Sequence, residues 1–404
     1  MKKVIITLIM SLVLAGSAAV SALAQDDMAS VKEQIADLEK KLSVMESKQA
    51  QSTGAATGLP GNMTFHGYFR GRVHIPQVEN TTLSASEVAF QPSWDASDKI
   101  HGEVHLWFYP TNGFYLESAM ATFDGVAIGK GGKLIAGKSR NLCYGIVPSG
   151  PNRLLSNYSL YSDAIHHDRV AGFQFLNKLD NGKIDLNVGI LNGFTVGTRG
   201  VGIDLVTTPA TSGSTLVLAN REGANPSMDN NNNRAVSMRL SGKTSKDLEL
   251  GLSVYAGRLP DSQLGSAATA ADLNDLTGFV ATKRKHTMYG GEFRYTDAPW
   301  IWQAEYTASD IGGFKFNAIQ TVVGLDVTAK DSVYAQYGQI NYSIAPAAAL
   351  SATWDKKQIA LSWKHKLAKA AWLQLEHEFN REDPPAGTPK IKNDVTILEY
   401  FIGY

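Results

Sequence analysis

Apolar and polar residues alternate along much of the chain after residue 62, which is the pattern of a β-strand with one apolar and one polar face. In the first such stretch, Phe65, Phe69 and Val73 belong to the apolar set, and His, Tyr and Arg side chains lie between them. The same period of two recurs at 103–109, 183–190, 248–254, 300–307 and 358–366. We therefore predict a chain built largely from amphipathic strands.

These segments are about ten residues long, the length that a tilted strand needs to cross a bilayer, and longer than a typical strand of a soluble sandwich. Short turns are predicted at 180–182, 242–247, 297–298 and 366–371. Longer polar connections alternate with them, at 192–213, 221–234, 258–284 and 381–392. A sheet in lipid must close, because no water can satisfy a free edge. The prediction is an all-β fold, a transmembrane antiparallel β-barrel of about 16 strands, with 14 or 18 as alternatives.

The last strand alternates to the end of the chain. Leu398, Tyr400, Ile402 and Tyr404 share one face, and Glu399 lies between the first two of them. A terminal aromatic residue on an alternating final strand resembles the signal that the outer-membrane barrel assembly machinery reads, although Phe is commoner than Tyr there. This resemblance implies the assembly machinery as a partner.

The N-terminal residues predict export. Lys2 and Lys3 precede an apolar run at 4–19, and small residues follow before Gln25. This is the composition of a secretory signal peptide, predicted over 1–24. The barrel is then expected in the outer membrane of a Gram-negative-type bacterium.

A heptad pattern follows the signal peptide and predicts a short periplasmic coiled coil over 25–50. Its seam residues are spaced alternately by three and four positions, as a and d positions are. They are Met28, Val31, Ile35, Leu38, Leu42 and Met45. A frayed amphipathic helix is the alternative, since three heptads are marginal alone. The Gly- and Pro-containing segment 51–61 predicts a linker, which leaves 62–404 for the barrel.

The amino-acid composition excludes several classes of protein but does not identify the class to which this chain belongs. The 404 residues contain 38 Lys and Arg, 38 Asp and Glu, and one Cys. The balanced charge argues against a nucleic-acid-binding protein, and one Cys excludes a disulfide framework and a zinc ribbon. A mean hydropathy of −0.15 leaves no room for a bundle of membrane helices.

Four stretches resemble one family. The opening 65–70, the segment 133–138 before a long loop, and the segments 168–172 and 180–193 are similar to trimeric porins of the phosphate-selective and DcaP-like type. The resemblance implies a homotrimer in outer-membrane lipid that conducts small hydrophilic solutes without a cofactor. Phosphate-selective members have a dense Arg and Lys ladder, and this chain has only a partial one. The resemblance therefore implies the architecture of the family more strongly than it implies phosphate as the transported solute.

The polar faces of the strands predict the pore lining. The candidates are His66, Tyr68, Arg70, Arg72, His74, Glu103, Arg140, Arg153, Arg294, Lys364 and Lys366. No acidic residue shares the face of Arg70 and Arg72 between 64 and 76, which favours a weak preference for anions. Glu249, Glu292 and Glu305 share the inward parity, so the wall is mixed, and a cross-strand ion pair is the alternative role of each arginine.

The loop between Ser139 and Ile165 is the candidate constriction, with a cap outside the barrel as the alternative. Histidine is the side-chain type that changes charge near neutral pH, so the presence of His66 and His74 leads us to expect conductance to change between pH 5 and 8. Cys143 has no evident base beside it and is interpreted as a bystander.

No metal site is predicted. His166 and His167 are adjacent, and adjacent strand side chains point to opposite faces, so they cannot chelate one ion together. Two other roles stay open: a structural protein that tethers the barrel to another envelope layer, and a barrel hydrolase, for which no nucleophile and base stand out.

Overall fold

The structure is a computed structural model and describes residues 63–77, 82–109, 113–146, 153–165, 169–192, 197–200, 214–217, 234–258, 285–312, 314–342, 355–383 and 393–404. The predicted signal peptide (1–24), coiled coil with its seam (25–50) and linker (51–61) lie outside these ranges and stay predictions, as does residue 62. The same holds for His166, His167 and Asp168.

Eighteen strands are described, and sixteen of them form one closed antiparallel barrel, which confirms the predicted all-β barrel and its strand number. The strands are β1 Thr64–Pro76, β2 Thr82–Ser97, β3 Ile100–Tyr109, β4 Gly113–Asp124, β5 Lys133–Arg140, β6 Arg169–Leu179, β7 Ile184–Leu191, β8 Gly197–Gly200, β9 Ser214–Val217, β10 Ala235–Lys243, β11 Leu248–Arg258, β12 Lys285–Asp297, β13 Trp300–Ile311, β14 Phe314–Asp326, β15 Asp331–Tyr342, β16 Lys356–Ala368, β17 Ala371–Glu382 and β18 Val395–Gly403.

Each barrel strand pairs with its neighbours in the chain, except where the connection from β7 to β10 contains the separate two-stranded sheet β8–β9. The barrel closes between its first and last strands, where Tyr68 pairs with Gly403 and Pro76 pairs with Val395. The alternating C-terminal segment is therefore the closing strand, and no open edge is left in this sheet.

The outer face of the barrel is apolar. Its exposed side chains include Leu252 (68%) and Leu361 (50%), each close to the centre of its strand, and Trp302 (47%), near the start of β13. In a soluble protein such residues would be buried, so a continuous belt of them is typical of a surface that contacts hydrocarbon. The predicted outward parity of Leu398 and Tyr400 also holds, with exposures of 37% and 36%.

The two ends of the barrel differ. One end has the short turns, including 180–183, 244–247, 298–299 and 369–370, together with the start of β1 and the end of β18. Most connections at the other end are longer, and one of them contains a six-residue helix, α1, Leu160–Ile165. None of the helices in the described part of the chain is long and apolar enough to span a bilayer.

An apolar cluster lies inside the barrel, where the alternation predicted a polar wall. Tyr144, Leu160 and Tyr161, which follow β5, pack there with inward residues of the strands. Those strand residues include Leu191, Tyr255, Met288, Phe316 and Ile340. Apolar inward positions are needed because α1 buries its own apolar side chains against them.

Candidate functional site

The connection after β5 folds into the barrel. Its described residues, 141–146 and 153–165, are called the inward loop here. Near its start, the backbone N–H of Gly145 donates to Ser253 Oγ (3.0 Å) and that of Ile146 donates to Glu305 Oε1 (2.7 Å). Ser253 and Glu305 are inward residues of β11 and β13, so this part of the loop lies against the inner wall.

A second attachment joins the loop to strands β16 and β17. Glu376 on β17 accepts hydrogen bonds from the backbone N–H groups of Ser156 (2.7 Å) and Asn157 (3.2 Å). Lys364 Nζ on β16 donates to the carbonyl oxygen of Arg153 (2.9 Å). Buried backbone groups need such partners, and charged inward side chains supply them. The structure thus places the candidate constriction loop inside the barrel and not over its mouth.

Arg70 and Arg72 point inward but are buried, with 2% and 1% of their surface exposed. Arg70 Nη1 lies 2.7 Å from Glu87 Oε2 on β2, and Arg72 Nε lies 2.8 Å from Glu399 Oε2 on β18. No carboxylate of β1 shares the face of the two arginines, and the neighbouring strands β2 and β18 supply the carboxylates instead. The alternative role, a cross-strand ion pair, is the one that the structure gives both arginines.

The other candidates on β1 differ in exposure. His66 is exposed at the end of the barrel that has the short turns. Tyr68 is buried and donates its hydroxyl to Glu87. His74 is buried, with 4% of its surface exposed. The face that suggested an anion-attracting stripe therefore presents only His66 to water.

The remaining candidates are distributed around the wall. Glu103 accepts a hydrogen bond from Gln91 (2.7 Å), and Arg140 Nη2 lies 3.5 Å from Glu117 Oε1. Lys364 lies 5.0 Å from the centre of the Trp372 ring, and Lys366, two residues further along β16, is exposed. Arg294 belongs to the inward face of β12 and pairs in register with Glu249.

The predicted inward carboxylates also have partners. Arg239 Nη2 lies 2.9 Å from Glu249 Oε1, and Arg239 Nε donates to Glu292 Oε1 (2.7 Å). Glu305 Oε2 accepts from Gln320 in addition to its contact with the inward loop. These inward carboxylates are therefore all hydrogen-bonded or ion-paired to other residues of the protein.

Sequence reasoning missed Glu117, which gathers three basic side chains. His105 Nδ1 lies 2.5 Å from its Oε2, and Arg140 and Arg169 contact its Oε1. Glu117 and Ser118 are adjacent and both buried, because the pairing of β3 with β4 shifts between His105 and Leu106, a β-bulge that interrupts the alternation. An alternating pattern carries no signal for such a shift.

A cavity of about 420 Å³ separates the inward loop from strands β12–β15. Its polar lining includes Arg153, Asn157, Tyr158 and Arg294. Its apolar lining includes Ile146, Leu154, Leu155, Ile301 and Val322, and Gln303, Gln320 and Gln336 add amide groups. Thr296 and Ile301 place one side of this cavity beside the 298–299 turn.

Cys143, the only cysteine of the chain, is fully buried at the start of the inward loop. Burial raises the pKa of its thiol to about 12, although Arg239 opposes the shift. Its Sγ donates weakly to Gln174 Oε1 (3.6 Å). A thiol in this state is a poor nucleophile. Within the described ranges, no three His, Cys, Asp or Glu residues are grouped as metal ligands.

Comparisons with known proteins address the fold. The outer membrane channel DcaP of Acinetobacter baumannii is similar with a TM-score of 0.59 and 12% identity, over 87% of this chain and 99% of that one. OmpF of Salmonella typhi, solved as a complex with daunomycin, gives 0.57 and 12%, over 85% and 98%. The trimer form of OmpT, an outer membrane protein of Vibrio cholerae, gives 0.54 and 14%, over 86% and 100%.

No protein-family model matches the sequence, and no curated protein is significantly similar to it. At 12–14% identity the structural likeness shows the fold alone. The chain therefore shares the closed-barrel fold of these outer-membrane proteins, with 16 strands of its own.

Proposed function

We propose that the protein is an outer-membrane porin, a passive diffusion channel for small hydrophilic solutes with a weak preference for anions. One observation carries the proposal: a closed barrel has an apolar outer face and a polar inner face, and a loop is hydrogen-bonded to that inner face. An apolar belt holds such a barrel in lipid, and a polar inner wall suits a water-filled path. No bond chemistry is required of it, so the protein is not an enzyme in this proposal.

The preference for anions depends on residues other than Arg70 and Arg72, whose face suggested it from the sequence. Arg70 and Arg72 lie within ion-pair distance of Glu87 and Glu399, so their field in the lumen is largely cancelled. Arg153 and Arg294 line the cavity beside the inward loop, and neither has a carboxylate within 4.0 Å among the described residues. Lys366 adds an exposed cation near the short-turn end. These three residues support the preference.

The proposed partners follow from the same fold. Outer-membrane lipid would surround the apolar belt, and the barrel assembly machinery would read the closing strand β18. The homotrimer is supported by the family resemblance and by OmpT, a barrel of similar fold that was solved in a trimer form. Nucleic acid is not proposed as a partner, because the charges of the chain balance.

Planar-bilayer recording tests the proposal. Purified full-length protein should insert with stepwise conductance increments, and protein denatured by heat in the same detergent should give none. In a salt gradient, the reversal potential should indicate a weak preference for anions. A preference for cations would overturn the selectivity and leave the channel intact.

Silence of a folded protein would overturn the channel itself. Folding can be checked in the same sample, because a folded barrel migrates differently from a boiled one in detergent gels. A folded but silent protein would favour the tether between envelope layers, and release of hydrolysis products from lipid would favour the barrel hydrolase.

A further inference from the structure

The cavity between the inward loop and β12–β15 is built from two chemically different halves. Arg153, Arg294 and several amide groups form its polar half. Leu154, Leu155 and Val322 belong to its apolar half. An apolar half would not help a passage that conducts only inorganic ions, because contact with aliphatic groups does not stabilise such ions. Its volume of about 420 Å³ is in the range of small-molecule sites.

The two arginines have unused hydrogen-bonding capacity. Arg153 is 93% buried, since 7% of its surface is exposed, and its Nε has no hydrogen-bond partner. The Nε of Arg294 is buried and also without a partner. Buried donors of this kind are costly unless a ligand or water satisfies them. Neither arginine forms an ion pair among the described residues, so both guanidinium groups are available to an anion.

The carboxylates that interact with the two arginines at longer range have closer partners. Glu399, which Arg153 also attracts, lies 2.8 Å from Arg72. Glu249 faces Arg294 in register, but it lies 2.9 Å from Arg239. Tyr158 lines the same cavity, and its ring lies 4.3 Å from the Arg153 guanidinium. Burial opposes ionisation of Tyr158, yet Arg140 and Arg153 outweigh it and lower the pKa of the phenol. A negative charge is therefore stabilised at this place.

No Asp or Glu belongs to the part of the cavity lining that the structure describes. The geometry points to a binding subsite for a small amphipathic monocarboxylate, an aliphatic or aromatic carboxylic acid in its ionised form. Its carboxylate would bind Arg153 and Arg294, and its apolar body would contact Leu155, Ile301 and Val322. This inference deepens the proposed channel function, because it names the class of solute that the channel would hold in transit.

Isothermal titration of the full-length protein in detergent tests the subsite, with hexanoate as the probe. Hexanoate should bind, whereas hexan-1-ol and hexylamine, which lack the negative charge, should bind at least tenfold more weakly. Arg153→Gln and Arg294→Gln should each raise the hexanoate Kd at least tenfold, and Arg153→Lys should raise it less. Arg381→Gln is the matched control, because Arg381 is 65% exposed on the outer face and should leave the Kd unchanged.

A series from acetate to hexanoate needs no variant. Burial of each added CH₂ should tighten binding by about twofold to fourfold, since removing apolar surface from water is favourable. Equal affinities across the series, equal binding of hexylamine, or unchanged Kd values in both folded glutamine variants would overturn the subsite. Conductance of the same preparation separates the two proposals: steps without hexanoate binding remove only the subsite, and silence removes the channel.

Discussion

Cys143 offers a direct reporter of the inward loop, because it is the only cysteine of the chain and is fully buried at the start of that loop. With a thiol pKa of about 12, only about one molecule in ten thousand carries a thiolate at pH 8. A maleimide added from solution should therefore react only when the loop opens. The labelling rate then reports the population of the open loop.

The substitution Glu305→Leu should increase the population of the open inward loop. Glu305 accepts the backbone N–H of Ile146 at 2.7 Å, three residues from Cys143, and is 3% exposed. A hydrogen bond to a buried charged group contributes about 1.5–3 kcal/mol. Glu292, which pairs in register with Glu305, partly offsets this by like-charge repulsion. A net loss of about 2 kcal/mol corresponds to roughly 30-fold faster labelling.

The assay compares maleimide labelling of wild type and variants by mass spectrometry in detergent at pH 8. Glu103→Gln is the matched control, because Glu103 is an inward carboxylate that contacts Gln91 and not the loop. Rapid labelling of the wild type would refute the buried loop. Equal rates in Glu305→Leu and Glu103→Gln, both folded, would refute the role of Glu305 as an anchor.

Three further predictions concern the wall and the outer face. Arg72→Met leaves Glu399 buried beside fewer cations and should lower the free energy of unfolding by about 3 kcal/mol. Arg381→Gln breaks an exposed ion pair and should lower the same free energy by less than about 1 kcal/mol. Equal changes in the two variants, measured by urea titration, would contradict the role of burial. Leu252→Arg, near the centre of β11, should destabilise the barrel in lipid vesicles by about 2–4 kcal/mol, whereas Leu252→Phe should not. If Leu252→Arg left the stability unchanged, this face would not contact hydrocarbon. His66→Glu should weaken the preference for anions, because it places a negative charge at the exposed short-turn end of the barrel; an unchanged reversal potential would remove that role.

Periodicity predicted the parts of the fold that depend on which face a residue occupies. The strands, their number and the outward position of Leu398 and Tyr400 all follow from a period of two. That signal is strong because a one-residue shift would turn every apolar side chain of a strand inward.

Contacts between strands could not be predicted in the same way. Arg72 and Glu399 are 327 positions apart, and they meet only because the last strand closes the barrel against the first. Residue type alone suggested free cations on β1, and the register of β1 with β2 and β18 determines that they are paired. Glu117 was missed for a related reason, since its partners His105, Arg140 and Arg169 lie on three other strands.

The inward loop was partly predictable. Its length and its place after an early strand suggested a constriction, but its anchors are backbone N–H groups bound by Glu305 and Glu376, far away in sequence. The apolar helix α1 could not be predicted either, because six residues are too few for a helical period to be recognised.

The sidedness of the wall is the central claim, and tryptophan fluorescence in brominated lipid tests it most directly. Trp302 is 47% exposed on the outer face, and Trp107 is 3% exposed and points inward. Bromine on the acyl chains quenches tryptophans that they touch. Trp302→Phe should remove part of the bromine-quenched emission, and Trp107→Phe should remove only emission that bromine leaves unchanged. Quenched emission that is lost with Trp107 and retained without Trp302 would contradict the arrangement of the two faces.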